Sequence, residues 1–229
     1  MLVGAIAVLT GALIARFVPQ AGPIKGASPA HELSALRRKQ VWLTLGIGAT
    51  GFGGLFCVLS YITPTLTHVS GLPERYVPLV LVVFGTGMVM GNLIGSWLAD
   101  RALIRTIGGV LIWNAVVLSL FSLAAPHLWV VAIAVLLVGT GVAIVPALQI
   151  RFMDVAEDAQ TLAAALNHCA FNVGNAMGAW LGGVAIAGGL GWASTGWVGA
   201  LLAVVGLIIF AVSLADRRRN AGLVGRSAN

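Results

Sequence analysis

Seven apolar stretches divide the chain, covering about residues 1–18, 41–66, 77–99, 103–125, 127–149, 160–187 and 195–215. A bilayer core needs about 20 apolar residues of helix at 1.5 Å rise each, so the second to seventh stretches are long enough to span, some with room to tilt. The first is marginal because it starts at Met1 with nothing polar before it. A signal peptide carries its positive charge ahead of the apolar run, whereas Arg16 follows it here. The pattern predicts an all-α, polytopic membrane protein with seven transmembrane helices.

Composition excludes the soluble alternatives. Apolar residues make up 59 % of the chain before its 30 glycines are counted, and charged residues only 9 %. Soluble domains hold roughly 45–50 % apolar residues with glycine included and about 25 % charged. With a mean hydropathy of +1.00, most of the chain must have lipid as its solvent. Disorder and a secreted disulfide scaffold fall by the same figures. Cys57 and Cys169 lie inside apolar runs and read as reduced packing residues.

The net charge of +6 is a topology signal, because the basic residues cluster between apolar runs. Twelve of the thirteen occupy alternate connections: Arg16, Lys25, Arg37, Arg38 and Lys39; Arg101 and Arg105; Arg151; and Arg217, Arg218, Arg219 and Arg226. Only Arg75 lies on the other side. Those connections and the C-terminus are expected in the cytoplasm, with Met1 outside. Pro19, Pro23 and Pro29 mark the one long polar connection as a linker. The expected organisation is a single helix over 1–18, a cytoplasmic linker over 19–40, a six-helix unit over 41–215 and a basic cytoplasmic tail over 216–229. A seven-helix retinal protein needs a lysine inside a span, and both lysines, Lys25 and Lys39, lie in the linker.

The six-helix unit divides into two triplets, and the middle helix of each carries a GxxxGxxxG row. The first row is Gly87, Gly91 and Gly95, the second Gly174, Gly178 and Gly182. Each sets three glycines on one helix face, where a partner backbone approaches closely. The two helices run in opposite directions, as in the inverted repeats of secondary transporters.

Three segments carry a family resemblance: Ser60-Tyr61-Ile62-Thr63-Pro64, Gly91-Asn92-Leu93-Ile94-Gly95-Ser96-Trp97-Leu98-Ala99-Asp100-Arg101, and the run from Asn167-His168-Cys169 through Asn172, Gly174, Asn175 and Gly178 to Gly182-Gly183. On these the chain resembles the C-terminal half of a major facilitator superfamily transporter, helices six to twelve. Within that superfamily it is similar to bacterial drug:proton antiporters and arabinose- and chloramphenicol-efflux-like permeases. After Asp100-Arg101 the family places a glycine and further basic residues, where this chain reads Ala102-Leu103-Ile104-Arg105. The resemblance implies that both glycine rows face an absent N-terminal half; packing inside this half is the alternative. It also implies a cytoplasmic gate of salt bridges at Asp100, Arg101 and Arg105, with a second at Arg151 and Asp154.

Cavity candidates come from the helices resembling the cavity-lining seven and ten: Phe52, Phe56, Tyr61 and Thr63 on one, Thr140 and Gln149 on the other, where Pro146 can break the helix. His168, Asn172 and Asn175 form a polar stripe at i, i+4 and i+7 within a span. Such groups in hydrocarbon must face protein or water, so they line a path or bond between helices. All seven acidic residues lie in loops or at helix ends, and the resemblance puts the proton-linked carboxylates mostly in the missing half. No metal cluster, phosphate loop, nucleophile–base pair or basic–aromatic stretch occurs, so an enzyme, a cofactor, a bound metal and a nucleic-acid partner are not expected.

The expected function is therefore the C-terminal half of an efflux transporter exporting a small drug-like molecule or sugar, in exchange for protons, by alternating access. Expected partners are the lipid bilayer, an N-terminal half, the small-molecule substrate and protons, in a bacterial inner membrane. The alternatives are a free-standing half acting as a homodimer or membrane scaffold, or a non-functional truncated product.

Overall fold

The computed structural model describes residues 2–17, 33–156 and 159–227. Lys25, Glu32 and the three linker prolines, with Glu157 and Asp158, lie outside the described residues. The helices are α1 Leu2–Phe17, α2 Lys39–Ser60, α3 Ile62–His68, α4 Val77–Ala124, α5 Leu128–Thr140, α6 Ile144–Ala156, α7 Gln160–Ala185 and α8 Ser194–Ser227, with no strand among the described residues.

Five helical segments are long and apolar enough to cross a membrane, the α5–α6 pair counting as one of them. At 48 residues α4 would reach about 72 Å, over twice a bilayer core. It is broken at Ala102 (φ −155°, ψ 66°), beside the charged Asp100-Arg101 pair. The third and fourth apolar stretches are thus its first arm (77–101) and second arm (103–124). Between α5 and α6 a 3-10 turn spans Gly141–Ala143. It sits one turn before Pro146, whose missing N–H would have bonded the Val142 carbonyl. α7 ends in a π turn over Ile186–Leu190, where Gly189 adopts φ 83°, a conformation that costs glycine little. Five of the six exposed tryptophans lie near the rims, Trp42 and Trp97 at one and Trp129, Trp180 and Trp197 at the other, while Trp113 lies midway along the second arm of α4. The five have the distribution of membrane-interface belts.

Helix pairing is reciprocal. A Cβ at Gly87, Gly91 or Gly95 of α4 would fall on the carbonyls of Leu136, Thr140 or Ala143 on the α5–α6 segment. At Gly174 and Gly178 of α7 it would fall on the carbonyls of Ala49 and Gly53 of α2, and at Gly182 on Cys57 and Tyr61. Each triplet's middle helix therefore lays its glycine row on the first helix of the other triplet. The remaining pairs follow the same two-fold logic, with Gly54 of α2 against Gly199 of α8 and Gly141 against Asn114 of α4. This packing is what an inverted repeat of two three-helix units produces. It also corrects the expectation that the rows face an absent half. Both are occupied within this chain, because only glycine lets these backbones meet. The apolar core formed between the helices includes Leu55, Val58, Leu111, Leu118, Val138 and Ile144.

Candidate functional site

Polar groups gather at the end of the bundle that holds Lys39, Arg101 and Arg217, hereafter the basic end. Gln40 at the start of α2 is its hub. Its Nε2 donates to Asp216 Oδ2 at 2.9 Å and to the Ser213 carbonyl at 3.1 Å, both on α8. Its Oε1 accepts from Ser213 Oγ at 2.6 Å and from Arg151 Nη2 at 3.1 Å. Lys39 Nζ pairs with Asp216 Oδ1 at 2.6 Å. Arg151 is 1 % exposed and also donates to Ser213 Oγ at 3.2 Å, while its Nη1 is buried without a partner. The cluster ties α2, α6 and α8 together.

The expected gate residues sit differently from the salt bridges that the resemblance implies. Arg151 turns inward to Gln40 and Ser213 and makes no ion pair with Asp154 among the described residues. Asp100 is exposed at the end of the first arm of α4. Arg101 stacks on Trp97, 3.7 Å from its ring centroid, and donates to its carbonyl at 3.2 Å. Arg105 lines two cavities beside the Ala102 break.

Nor do the cavity candidates converge on one pocket. Phe52 is buried, with ring centroids 4.6 Å from Phe171 on α7 and 5.5 Å from Phe56. This aromatic cluster joins α2 to α7. Tyr61 donates its hydroxyl to the Ala179 carbonyl at 2.8 Å, near the opposite end. Thr63 is exposed on the short helix α3. Thr140 donates to the Leu137 carbonyl and accepts from Trp113 Nε1 at 2.8 Å, on a groove beside α4. Gln149 Oε1 accepts from Asn167 Nδ2, linking α6 to α7.

The α7 stripe is the group that stays open. His168 and Asn172 are exposed, together with Cys169. Asn175 is half-buried, its Oδ1 enclosed with no hydrogen-bond partner among the described residues. In the middle of a helix of membrane-spanning length, these groups are desolvated by lipid unless water or protein covers them. Cys169 is therefore not a packing residue, whereas Cys57 is fully buried on α2. A maleimide applied in mild detergent should modify one thiol per chain, and Cys169→Ser should abolish that labelling. Two labelled thiols would mean that the α2–α7 seam is open.

Sequence reasoning missed the Gln40 hub, Ser213 and the Asn167–Gln149 bond. Ser213 gave the only hint, as a polar residue near the end of an apolar run.

The family model for the Major Facilitator Superfamily matches residues 56–228. The "Inner membrane transport protein YdhP" of Escherichia coli K12 is 36 % identical over 191 residues, 82 % of this chain and 49 % of its own length. An "Uncharacterized MFS-type transporter YtbD" of Bacillus subtilis is 34 % identical over 78 % of this chain and 46 % of its own. A "Probable sugar efflux transporter" of Mannheimia succiniciproducens is 27 % identical over 91 % and 53 %. The chain thus spans about half the length of the curated relatives it matches. The matched region takes in both glycine rows and every helix from α3 onward, and on that match this integral membrane chain belongs to the Major Facilitator Superfamily.

Proposed function

We propose that this chain is the C-terminal half, with the helix that precedes it, of an efflux transporter working by alternating access. Its cargo is a small drug-like molecule or a sugar, the latter suggested by the sugar efflux name of a relative. Export is driven by proton entry, with the coupling carboxylate in the N-terminal half. The observation that carries this reading is the open stripe of His168, Asn172 and the enclosed Asn175 Oδ1 on α7. Polar groups at that depth are stable only against water or a second protein surface, and a water-filled path between two halves provides both. The basic end is the cytoplasmic one in this reading, since lysine and arginine collect on that side. Asp100 and Arg105 then stand where an inward mouth would close. The membrane is a bacterial inner membrane, and the C-terminus is cytoplasmic.

The test uses the full-length protein in a bacterial strain stripped of its own efflux pumps. Accumulation of a fluorescent lipophilic cation and of a radiolabelled pentose is measured with and without a proton ionophore. Expression should lower the accumulation of one cargo, the ionophore should reverse this, and His168→Leu with Asn172→Leu should restore the level of the empty strain. Normal efflux by the expressed double variant would remove α7 from the path. The 229-residue chain alone, in liposomes, should give no proton-coupled uptake.

A further inference from the structure

Two cavities meet beside the break at Ala102. The first is a groove of about 520 Å³ between the two arms of α4 and the α5–α6 turn, lined by Ile94, Leu98, Thr106, Gly109, Val110 and Trp113 among others. The second, about 410 Å³, is lined by Ala102, Leu103, Ile104, Arg105, Asp154 and Arg217. Ala102 and Arg105 line both, so the apolar groove runs into a charged mouth.

We propose that this pair of cavities holds one anionic phospholipid of the surrounding bilayer, its phosphate between Arg105 and Arg217 and one acyl chain along the groove toward Trp113. Charge complementarity selects the headgroup. Among the described residues that line the mouth, Arg105 and Arg217 face one carboxylate, Asp154, which leaves that lining positive. Both residues are exposed, and neither has a hydrogen bond or ion pair among the described residues. A zwitterionic headgroup would bring its own cation against them. The groove selects the tail: its lining is aliphatic and aromatic apart from Thr106, Thr140 and Arg105, and a free anion would leave it empty. Ile94, Ile112 and Trp113 are exposed around it, so it opens on the outer surface of the packed unit, where acyl chains lie. Position agrees with both. The mouth lies at the basic end, level with the turn between two spans, which is the depth of the headgroups, and basic pockets between spans at that depth suit anionic lipids. The α7 stripe contributes nothing to either cavity, so the inference shares only Arg105 with the transport reading.

Glycine at 109 supplies a clean probe of the groove. A Cβ added there meets nothing within 4 Å, and Gly109 lines the groove, so Gly109→Leu should extend into the groove and leave the fold intact. The purified chain in detergent is titrated with phosphatidylglycerol and, separately, with phosphatidylcholine of the same acyl chains, and bound lipid is counted by native mass spectrometry. Phosphatidylglycerol should be retained about thirtyfold more strongly, the scale expected for two basic residues at about 1 kcal/mol each. Arg105→Gln with Arg217→Gln should reduce it to the phosphatidylcholine level. Gly109→Leu should weaken it while leaving the melting temperature unchanged. Equal retention of the two lipids, or variants that retain phosphatidylglycerol as the unaltered chain does, would overturn the proposal. So would complete displacement by millimolar inorganic phosphate, which would make this a soluble-anion site.

Discussion

Gly91→Leu should leave little folded protein in a detergent extract, while Gly85→Leu, six residues earlier on the same arm of α4, should fold normally. The two positions separate packing from helix propensity. Leucine is the better helix former by nearly 1 kcal/mol at either site. At Gly85 an added Cβ meets nothing within 4 Å, whereas at Gly91 it falls on the Thr140 backbone. Overpacking a core side chain typically costs 1–3 kcal/mol through rotamer and backbone shifts. Here the obstruction is backbone that cannot rotate away, so α4 and the α5–α6 segment must separate along the whole row. Without a hydrophobic driving force between helices in lipid, that close contact is much of what holds them together. A loss above about 4 kcal/mol is expected, in the range reserved for such lesions. Gly178→Leu should behave alike, because its partner is the Gly53 carbonyl. Cys57 reports the outcome: in a Cys169→Ser background its fully buried thiol becomes reactive toward a fluorogenic maleimide only as the helices part. Melting curves within a few degrees of each other for the Gly85 and Gly91 variants would defeat the argument.

The glycine rows also show what was legible beforehand and what was not. Spacing placed three glycines on one face of each middle helix, and opposite helix directions implied the repeat. Which neighbour each face meets depends on the order of helices around the bundle, and no one-dimensional pattern carries that order. The resemblance pointed outward to a missing half, yet the rows lie on Leu136–Ala143 and Ala49–Tyr61 of the same chain. Span positions were readable because an apolar run of fixed length is a local property. The boundary expected between residues 99 and 103 became a break at Ala102 inside one continuous α4. Site residues fared differently for the same reason. His168 and Asn172 share a face by local spacing and do stay together. Arg151 and Asp154 share a turn by spacing, but burial of the guanidinium was decided by Gln40, 111 positions away.

Gln40→Leu should cost more than Arg151→Met, although it removes a neutral side chain and the other removes a charge. Arg151 is held at 1 % exposure by two neutral acceptors, Gln40 Oε1 and Ser213 Oγ, with its Nη1 already unpartnered. Removing Gln40 leaves a buried cation with Ser213 Oγ as its remaining hydrogen-bond partner among the described residues, and stranding a buried charge costs about 3–5 kcal/mol. It also takes one donor from Asp216, whose exposed Lys39 partner compensates weakly in water. Arg151→Met strands nothing, because Gln40 Oε1 still accepts from Ser213 Oγ. The methionine fills most of the volume, and such exchanges of a buried ion for an apolar side chain are often neutral or stabilising. The double variant should therefore be more stable than Gln40→Leu by itself, a coupling of about 2 kcal/mol or more between groups in direct contact. Followed through the Cys57 thiol, Gln40→Leu should lower the melting temperature by about 10 °C, given 2–4 °C per kcal/mol for a chain of this size. Adding Arg151→Met should recover at least half of that. If the double variant melts below both singles, the cluster is instead a hydrated rim in which each group contributes separately. Arg151 would then be solvated at the basic end and not locked between α2, α6 and α8.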